Sequence, residues 1–435
     1  MILINNKLIR RNFKLAFIFS VIIILFTSCS IDTGQGQINE KYDSPVNISD
    51  KNGTGEGKAR IEDYNTSINS SKSDFNKPKE VMEEDEKVGI TIKTVGDILY
   101  HSNLVDYGRY ASQSDDYDFT DHFALIKDFI GHADVTIGNF EGTSNPNLET
   151  GGYPRFNIPD DIFITLKEVG FDALSTANNH ALDTDIEGIN TTIEAINDSG
   201  LKSFGTQNNN HENYTFFDVK GVKIAFLSYT ESLNGLGYLL DNPEKEKMIN
   251  LLNEDDIKED IENVNKQGAD LVIVYPHWGE EYSPKPLQKH INLARNMIEW
   301  GADVICGNHP HVVQPTEWYT SSDGRKGFII YSMGNFISDQ NLESVGILET
   351  EQSVVVEISF EKNLTKNIGN LKDVAIHPTW LYKHYDENGF ALHQTVLAEE
   401  YKKNGSKAQK LSDENMERAT MAYEMTMKKI RENID

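Results

Sequence analysis

Ala302-Asp303-Val304-Ile305-Cys306-Gly307-Asn308-His309-Pro310-His311 is the stretch that decides the fold. A short apolar run, suited to a strand buried on both faces, stops at a glycine. An asparagine and two histidines follow at once. The run is entered through Gly301-Ala302-Asp303, and the same entry recurs as Gly131-His132-Ala133-Asp134, Gly170-Phe171-Asp172 and Gly268-Ala269-Asp270. In each, a helical pattern ends at glycine, which supplies a left-handed cap. An aspartate then precedes an apolar strand. Repeated joins of this kind imply an α/β fold in which helices pack on sheets as layers.

The exits from the apolar runs matter as much as the entries. They are Gly96-Asp97, Gly138-Asn139-Phe140-Glu141, Asn178-Asn179-His180, His277-Trp278-Gly279, Gly307 to His311, and Gly334-Asn335. Ligands in open α/β folds bind beyond the carboxyl ends of strands, so these clusters are expected to meet in one site. Helical spacing is read over 159–169, 186–199, 254–267 and 286–300, and in a tail over 413–430. Strands are expected at 88–95, 222–228 and 327–332. Residues 353–360 alternate and read as a strand at a sheet edge. Length allows one large domain, 86–400, followed by a helical tail, 401–435.

The amino-terminal end has a different character. Lys7, Arg10, Arg11 and Lys14 precede an apolar run over 15–26, and Thr27-Ser28-Cys29 closes it. This is a secretory signal pattern over 1–28, too short to span a membrane. Cys29 after two small residues resembles a bacterial lipobox, with Cys29 as the lipidated first residue. A plain signal peptide or an uncleaved anchor are the alternatives. Each places the body outside the cytoplasm, and the lipid or anchor makes the membrane a partner at its extracellular face. Residues 29–85 are polar and read as a disordered tether. Cys306 has no partner but Cys29, so no disulfide framework exists, and it reads as a small buried apolar residue.

The formal charge is −27, and removal of the leader with its four basic side chains takes it to −31. That excludes simple nucleic-acid binding, which needs Lys and Arg against phosphates. A polyanionic partner would need divalent cations or a local basic pocket.

The exit clusters carry a mixed set of donors. Asp97 and Glu141 supply carboxylates, Asn179 an amide oxygen, and His277, His309 and His311 imidazoles. Such a set suits one or two divalent ions such as Mn²⁺, Fe²⁺ or Zn²⁺. A bridging carboxylate would hold two ions about 3.5–4 Å apart for an in-line phosphoryl displacement. A remaining histidine, His180, could protonate the leaving group.

The order of these pieces resembles the calcineurin-like metallophosphoesterase layout. More closely, the chain resembles the CapA family of poly-γ-glutamate capsule synthesis proteins, whose fold is a variant of it. The resemblance is carried by Val95-Gly-Asp97, Gly138-Asn-Phe-Glu141, Ser175-Thr-Ala-Asn-Asn-His-Ala-Leu-Asp183, Pro276-His-Trp-Gly-Glu-Glu-Tyr282, Gly307-Asn-His-Pro-His311 and Tyr331-Ser-Met-Gly-Asn-Phe336. It implies a metallophosphoesterase-like sandwich with its active-site loops at strand carboxyl ends. It implies Asp97 and Glu141 as metal ligands with Glu141 bridging. Asn179, His277 and His309 would hold one ion, His311 the other, and His180 would be the catalytic acid. Glu281 and Asn335 match family motifs as substrate contacts or supports of the ligands. Asp183 would cap or orient the following helix. In one departure, Leu99 stands where the phosphatase motif has histidine; His101 is nearby. Arg155 is read as an anion contact or a loop-anchoring ion pair, and His122, His132, His211, His290 and His377 as structural.

The resemblance implies a part in poly-γ-glutamate synthesis, export or attachment, with the polymer and a membrane-bound synthase complex as partners. The alternatives are a metal-dependent phosphoesterase acting on cell-envelope phosphoesters, and a non-enzymatic polymer-binding or synthase scaffold.

Overall fold

The chain builds half of one sheet, all of a second, and then returns to finish the first. The computed structural model describes residues 85–434 except 115, 209–211 and 213. The leader, Cys29, the tether up to residue 84 and His211 lie outside the described residues. Strands β1 (Lys87–Ile98), β2 (Val135–Phe140), β3 (Ala173–Ser175) and β4 (Lys202–Phe204) begin the first sheet. Strands β5 (Thr215–Val219), β6 (Val222–Thr230), β7 (Leu271–His277), β8 (Val304–Cys306), β9 (Thr316–Thr320) and β10 (Lys326–Ile330) form the second, in the order β5-β6-β7-β8-β10-β9. Strands β11 (Asn335–Ile337), β12 (Gln352–Asn363), β13 (Ile368–Tyr385) and β14 (Ala391–Leu397) return to the first, whose order is β14-β13-β12-β1-β2-β3-β4 with β11 also on β1.

The repeated Gly–Asp joins have a physical job. Asp134, Asp172, Asp270 and Asp303 each accept the backbone N–H of a residue on the preceding parallel strand: Thr91, Thr136, Lys223 and Val272, at 2.8–3.0 Å. Each also donates its own N–H to a carbonyl on that strand. The aspartate thereby sets the register in which the next strand starts. Gly170, Gly268 and Gly301 take the expected positive φ. Gly131 does not; it lies inside the short helix Lys127–Gly131.

The two sheets face each other across an apolar layer. Ile92, Ile137 and Phe204 from the first sheet pack with Phe226, Ile273, Val304 and Ile330 from the second. Helices cover the outer faces. Ile162, Phe163 and Leu166 of the helix Asp161–Val169 lie on the first sheet with Val95, Ile98 and Phe140. The helices Glu254–Lys266 and Gln288–Trp300 lie on the second through Ile257, Ile261, Ala294 and Ile298. The result is a helix–sheet–sheet–helix sandwich. The C-terminal helix Asp413–Lys429 buries Ala419 and Ala422 with Trp380 and Val396.

One expectation is overturned. Residues 353–360 lie in β12, which is interior, between β1 and β13. Their alternation arises because Val354, Val356, Ile358 and Phe360 face the inter-sheet core. The opposite face is partly exposed toward the carboxyl end of the strand.

At Val95 the strand β1 leaves β12 and takes β11 as its neighbour, with Asp97 opposite Asn335. This exchange brings two backbones together at Gly96. A Cβ there would sit 1.9 Å from the carbonyl oxygen of Gly334. The Asp97 N–H donates to that same oxygen at 3.0 Å. Gly96→Ala must push the two strands apart, which typically costs about 1–3 kcal/mol. The expected result is a lower denaturant midpoint with an unchanged slope, together with weakened metal uptake because Asp97 moves. An unaltered midpoint would show that the strands tolerate a methyl group here.

Candidate metal centre

Each sheet delivers three of the six expected ligand positions. β1 carries Asp97 at its end, Glu141 follows β2, and Asn179 follows β3 with His180 beside it. β7 ends in His277, and His309 and His311 follow β8. The centre therefore stands at the seam between two sheets. A single sheet edge, the simplest reading of the exits, would have supplied only half of it.

The contacts close around Glu141. Its side chain is fully buried, and neither carboxylate oxygen has a hydrogen-bond partner. Oε1 lies 3.6 Å from His277 Nε2 and 3.8 Å from His311 Nε2. His277 Nε2 is also 2.9 Å from Asn179 Oδ1 and 3.2 Å from His309 Nδ1. Asp97 Oδ2 is 3.3 Å from His311 Nδ1. Among the described residues, two sets have ligand atoms within 4.8 Å of one another: Glu141, His309 and His311, and Asp97, Glu141 and His277. Glu141 belongs to both, as a bridging ligand would.

A cation fits this arrangement. A buried polar group without a partner costs about 1–3 kcal/mol, and a charged one costs more. Glu141 has two such oxygens, and the amide oxygen of Asn179 and the ring nitrogens of His277, His309 and His311 converge around it. A divalent ion satisfies all of them at once, and the mixed N/O set suits Mn²⁺, Fe²⁺ or Zn²⁺.

The surrounding residues hold the ligands in place. Asn139 Nδ2 donates to Asp97 Oδ1 at 2.8 Å and lies 3.2 Å from His277 Nδ1, so one amide steadies a ligand from each sheet. Asn335 donates from Nδ2 to the Thr350 carbonyl, which turns its Oδ1 toward His311 Nδ1 at 3.0 Å. His311 Nδ1 is then the donor, and Nε2 faces Glu141. His309 and His311 have φ of 97° and 58°, and are not in the extended turn that their spacing suggested. Each such conformation costs of order 1–3 kcal/mol and survives only where its surroundings enforce it. Here Asn308 N donates to Pro276 O, Trp278 N to Asn308 O, and Tyr282 N to Pro310 O.

His180 stands beside the ligands. Its Nδ1 donates to Asp183 Oδ2 at 2.7 Å, and its ring meets Phe156 edge-on at 4.7 Å. Asp183 Oδ2 also accepts the Phe156 N–H. Asp183 thus orients His180, and the helix that follows starts from Thr184 without a side-chain cap. Sequence reading missed the roles of Asn139 and Phe156. Asn139 was detectable: it sits two residues before Glu141, on the same strand face, and pairs in register with Asp97.

The remaining expected residues are less central. Glu281 is exposed in the turn after β7, and its charge acts on Glu141, His277 and His311. Arg155 is exposed beside Asp185, 3.8 Å away, which matches a loop-anchoring pair. Leu99 is buried in the core beneath the helices with Tyr100 and Phe123, away from the ligand groups. His101 meets Phe156 and receives the Asp339 N–H, and joins neither ligand group. Cys306 is buried against Thr94, and burial pushes its thiol up to about 12.

The charges respond to the missing solvent. Burial pushes Glu141 up to about 8. Burial pulls His277 down to about 3 and His309 to about 2. His311 is also disfavoured as a cation by burial, but Glu141 and Asp97 outweigh that and raise it to about 9. Asp97 is pushed up by burial and pulled down further by His311, ending below its ordinary value.

Without metal, the folded chain therefore holds protons that the unfolded chain releases. Glu141 keeps its proton up to about 8 against an ordinary 4.5, and His311 up to about 9 against 6.5. Their stabilisation is complete below the unfolded values and is lost as pH rises through the folded ones. Between about pH 7.5 and 9, a unit and more above the free imidazole value, His277 and His309 are neutral in both states and do not oppose this. The metal-free protein should lose melting temperature across that window, and saturating Mn²⁺ should remove the slope because the ion replaces the protons. A slope that metal leaves intact would contradict the assignment. Asn139→Ala should weaken metal affinity about 10–100-fold, the usual cost of losing a group that orients ligands. Competition with a chromogenic chelator measures it, and an unchanged affinity would remove Asn139 from the centre.

The family model for the bacterial capsule synthesis protein PGA_cap matches residues 91–340. The chain is 31% identical over 296 residues to the capsule biosynthesis protein CapA of Bacillus anthracis, covering 65% of this chain and 66% of that protein, just under two thirds of its length. It is 29% identical over 294 residues to the PGA biosynthesis protein CapA of Bacillus subtilis strain 168, covering 63% and 71%. Among solved structures it resembles the calcineurin-like phosphoesterase YfkN from Bacillus subtilis at a TM-score of 0.40 and 16% identity, covering 67% of this chain and 91% of that one. A phosphatase from Mycoplasma pneumoniae matches at 0.39 and 16%, covering 67% and 94%. These scores are low, and the layered fold rests on the topology described above. The family match spans every ligand position from Asp97 to His311, and the chain belongs to the bacterial capsule synthesis protein PGA_cap family.

Proposed function

We propose that the protein serves poly-γ-glutamate capsule assembly at the outer face of the cell membrane, through a divalent-metal centre built on Glu141. The observation that carries this reading is the buried Glu141 carboxylate, bare on both oxygens, between His277 and His311. Family membership supports the capsule role, and the Bacillus subtilis relative named for PGA biosynthesis points to a polymer-synthesis complex as partner. The signal pattern and Cys29 support lipid anchoring. Among the described residues, no helix is long and apolar enough to cross a membrane.

A second reading is favoured by a specific contact. His180 Nδ1 is held by Asp183 at 2.7 Å, which leaves Nε2, with only a long 3.4 Å contact to Asn234 Nδ2, as the ring nitrogen for proton exchange, a disposition that suits a metal-dependent phosphoesterase. When bound, the ions would polarise a phosphoryl group and activate a water. Asp97, Glu141, Asn179, His277, His309 and His311 would hold them. Asp183 would fix the orientation of the His180 ring, and His180 would supply the proton that the leaving oxygen takes up. Poly-γ-glutamate itself has no phosphoester, so on this reading the substrate is a phosphoester of the cell envelope.

The two readings separate experimentally. If the centre serves the capsule, Glu141→Gln and His277→Ala should abolish polymer in a complemented deletion strain while protein levels stay normal. Undiminished capsule would leave only a scaffold role. If the centre is a phosphoesterase, the purified chain with Mn²⁺ should cleave a generic phosphodiester. His180→Ala should then lower the rate about 10²–10⁴-fold without changing metal content. No turnover across several metals and ester classes would end that reading.

A further inference from the structure

We infer that Asn234, in the loop after β6, is a positioning residue of the metal centre: it turns the Asn179 amide so that the oxygen, and not the nitrogen, faces the other ligands. The inference rests on the metal-centre reading above.

An asparagine side chain has nearly the same shape either way round. Its oxygen can hold a cation, whereas its NH₂ end only donates. Which end of Asn179 faces the centre therefore depends on what holds the other end. Asn179 is buried, and its Nδ2 donates to Asn234 Oδ1 at 3.3 Å. Its Oδ1 then lies 2.9 Å from His277 Nε2. In the metal-free chain His277 helps to fix this choice. Asn139 Nδ2 faces His277 Nδ1, so the neutral ring carries its proton on Nε2, and the Asn179 atom that meets it is the oxygen. With Nε2 engaged as a ligand that donor is gone. Among the described residues, Asn234 is then what still holds the amide.

The loop is built to reach across the seam. At its start the Glu231 N–H donates to His277 O at 3.0 Å, and the Glu231 carboxylate accepts the Gly279 N–H at 3.1 Å and His290 Nε2 at 2.9 Å. This end is fixed to the turn that carries His277 on the second sheet. Two residues on, Leu233 packs with Ala177, Ala181 and Leu182, which flank Asn179 and His180 on the first sheet. Asn234 follows with φ of 50°, and the Ser232 hydroxyl oxygen accepts its N–H at 3.3 Å. Its Nδ2 end faces His180, 3.4 Å from each ring nitrogen, which leaves Oδ1 as the end turned to Asn179. One side chain from the second sheet thus sits against two residues of the first.

The test is the Mn²⁺ affinity of the purified full chain, read by competition with a chromogenic chelator. Asn234→Gly removes the amide and keeps the left-handed backbone at no steric cost. It should weaken binding about tenfold, the lower end of what loss of a ligand-orienting group costs. In a chain that also carries Asn179→Asp, whose two ends are both oxygen, the same change should cost nothing, because there is no orientation left to select. Asn234→Asp keeps an acceptor and tolerates the same φ, and should show no loss. Unchanged affinity in Asn234→Gly, an equal loss in the Asn179→Asp background, or a loss in Asn234→Asp would overturn the inference and leave the metal centre standing. Wild-type protein that takes up no Mn²⁺, Fe²⁺ or Zn²⁺ would overturn the centre and the inference with it.

Discussion

A carboxylate sealed from water with no donor on either oxygen cannot stand alone. Glu141 is in that position, and the seam between the two sheets is organised around it. Imidazole nitrogens of His277 and His311, from the opposite sheet, stand within 4 Å of it. Neutralisation by a proton relieves part of the cost, which is why burial lifts its pKa to about 8. Neutralisation by a cation would relieve it more completely, because the amide oxygen of Asn179 and the rings of His277 and His309 stand close enough to share it. The site is thus a place where folding creates an electrostatic deficit that a divalent ion would fill.

The same requirement explains the costly backbone around it. His309 and His311 both adopt positive φ, a conformation that side-chain-bearing residues avoid. They are held there by the hydrogen bonds that lace Pro276, Trp278, Asn308, Pro310 and Tyr282 together. Gly307 lets the loop pass close under Tyr331: a Cβ there would meet its carbonyl oxygen at 2.0 Å. Gly96 plays the matching part on the first sheet. Strain concentrated at these points is what aims two rings, two residues apart, into one pocket.

Supporting groups fall into two kinds. Asn139 and Asn335 position ligands by hydrogen bonds that span strands far apart in sequence. Asp183 positions His180, which stands beside the ligand cluster. Leu99 shows the opposite case. It occupies the motif place of a phosphatase histidine, yet it lies in the core beneath the helices. That position therefore adds no donor to the two groups that Glu141 shares.

Much of this was readable in the chain itself. The joins at Asp134, Asp172, Asp270 and Asp303 announced parallel strands and covering helices, because a buried strand start needs a group to take its neighbour's N–H. The exits at Asp97, Glu141, Asn179, His277, His309 and His311 announced donors that would converge, because sites in α/β folds gather beyond the carboxyl ends of strands. Neither pattern could say that the donors divide between two sheets, that β12 is interior, or that Asn139 bridges the seam. Those facts depend on which strands become neighbours after the chain returns at β11. Local composition encodes the preference of a segment for strand or turn, but the pairing of distant segments is settled only by the free energy of burying both sheets against each other.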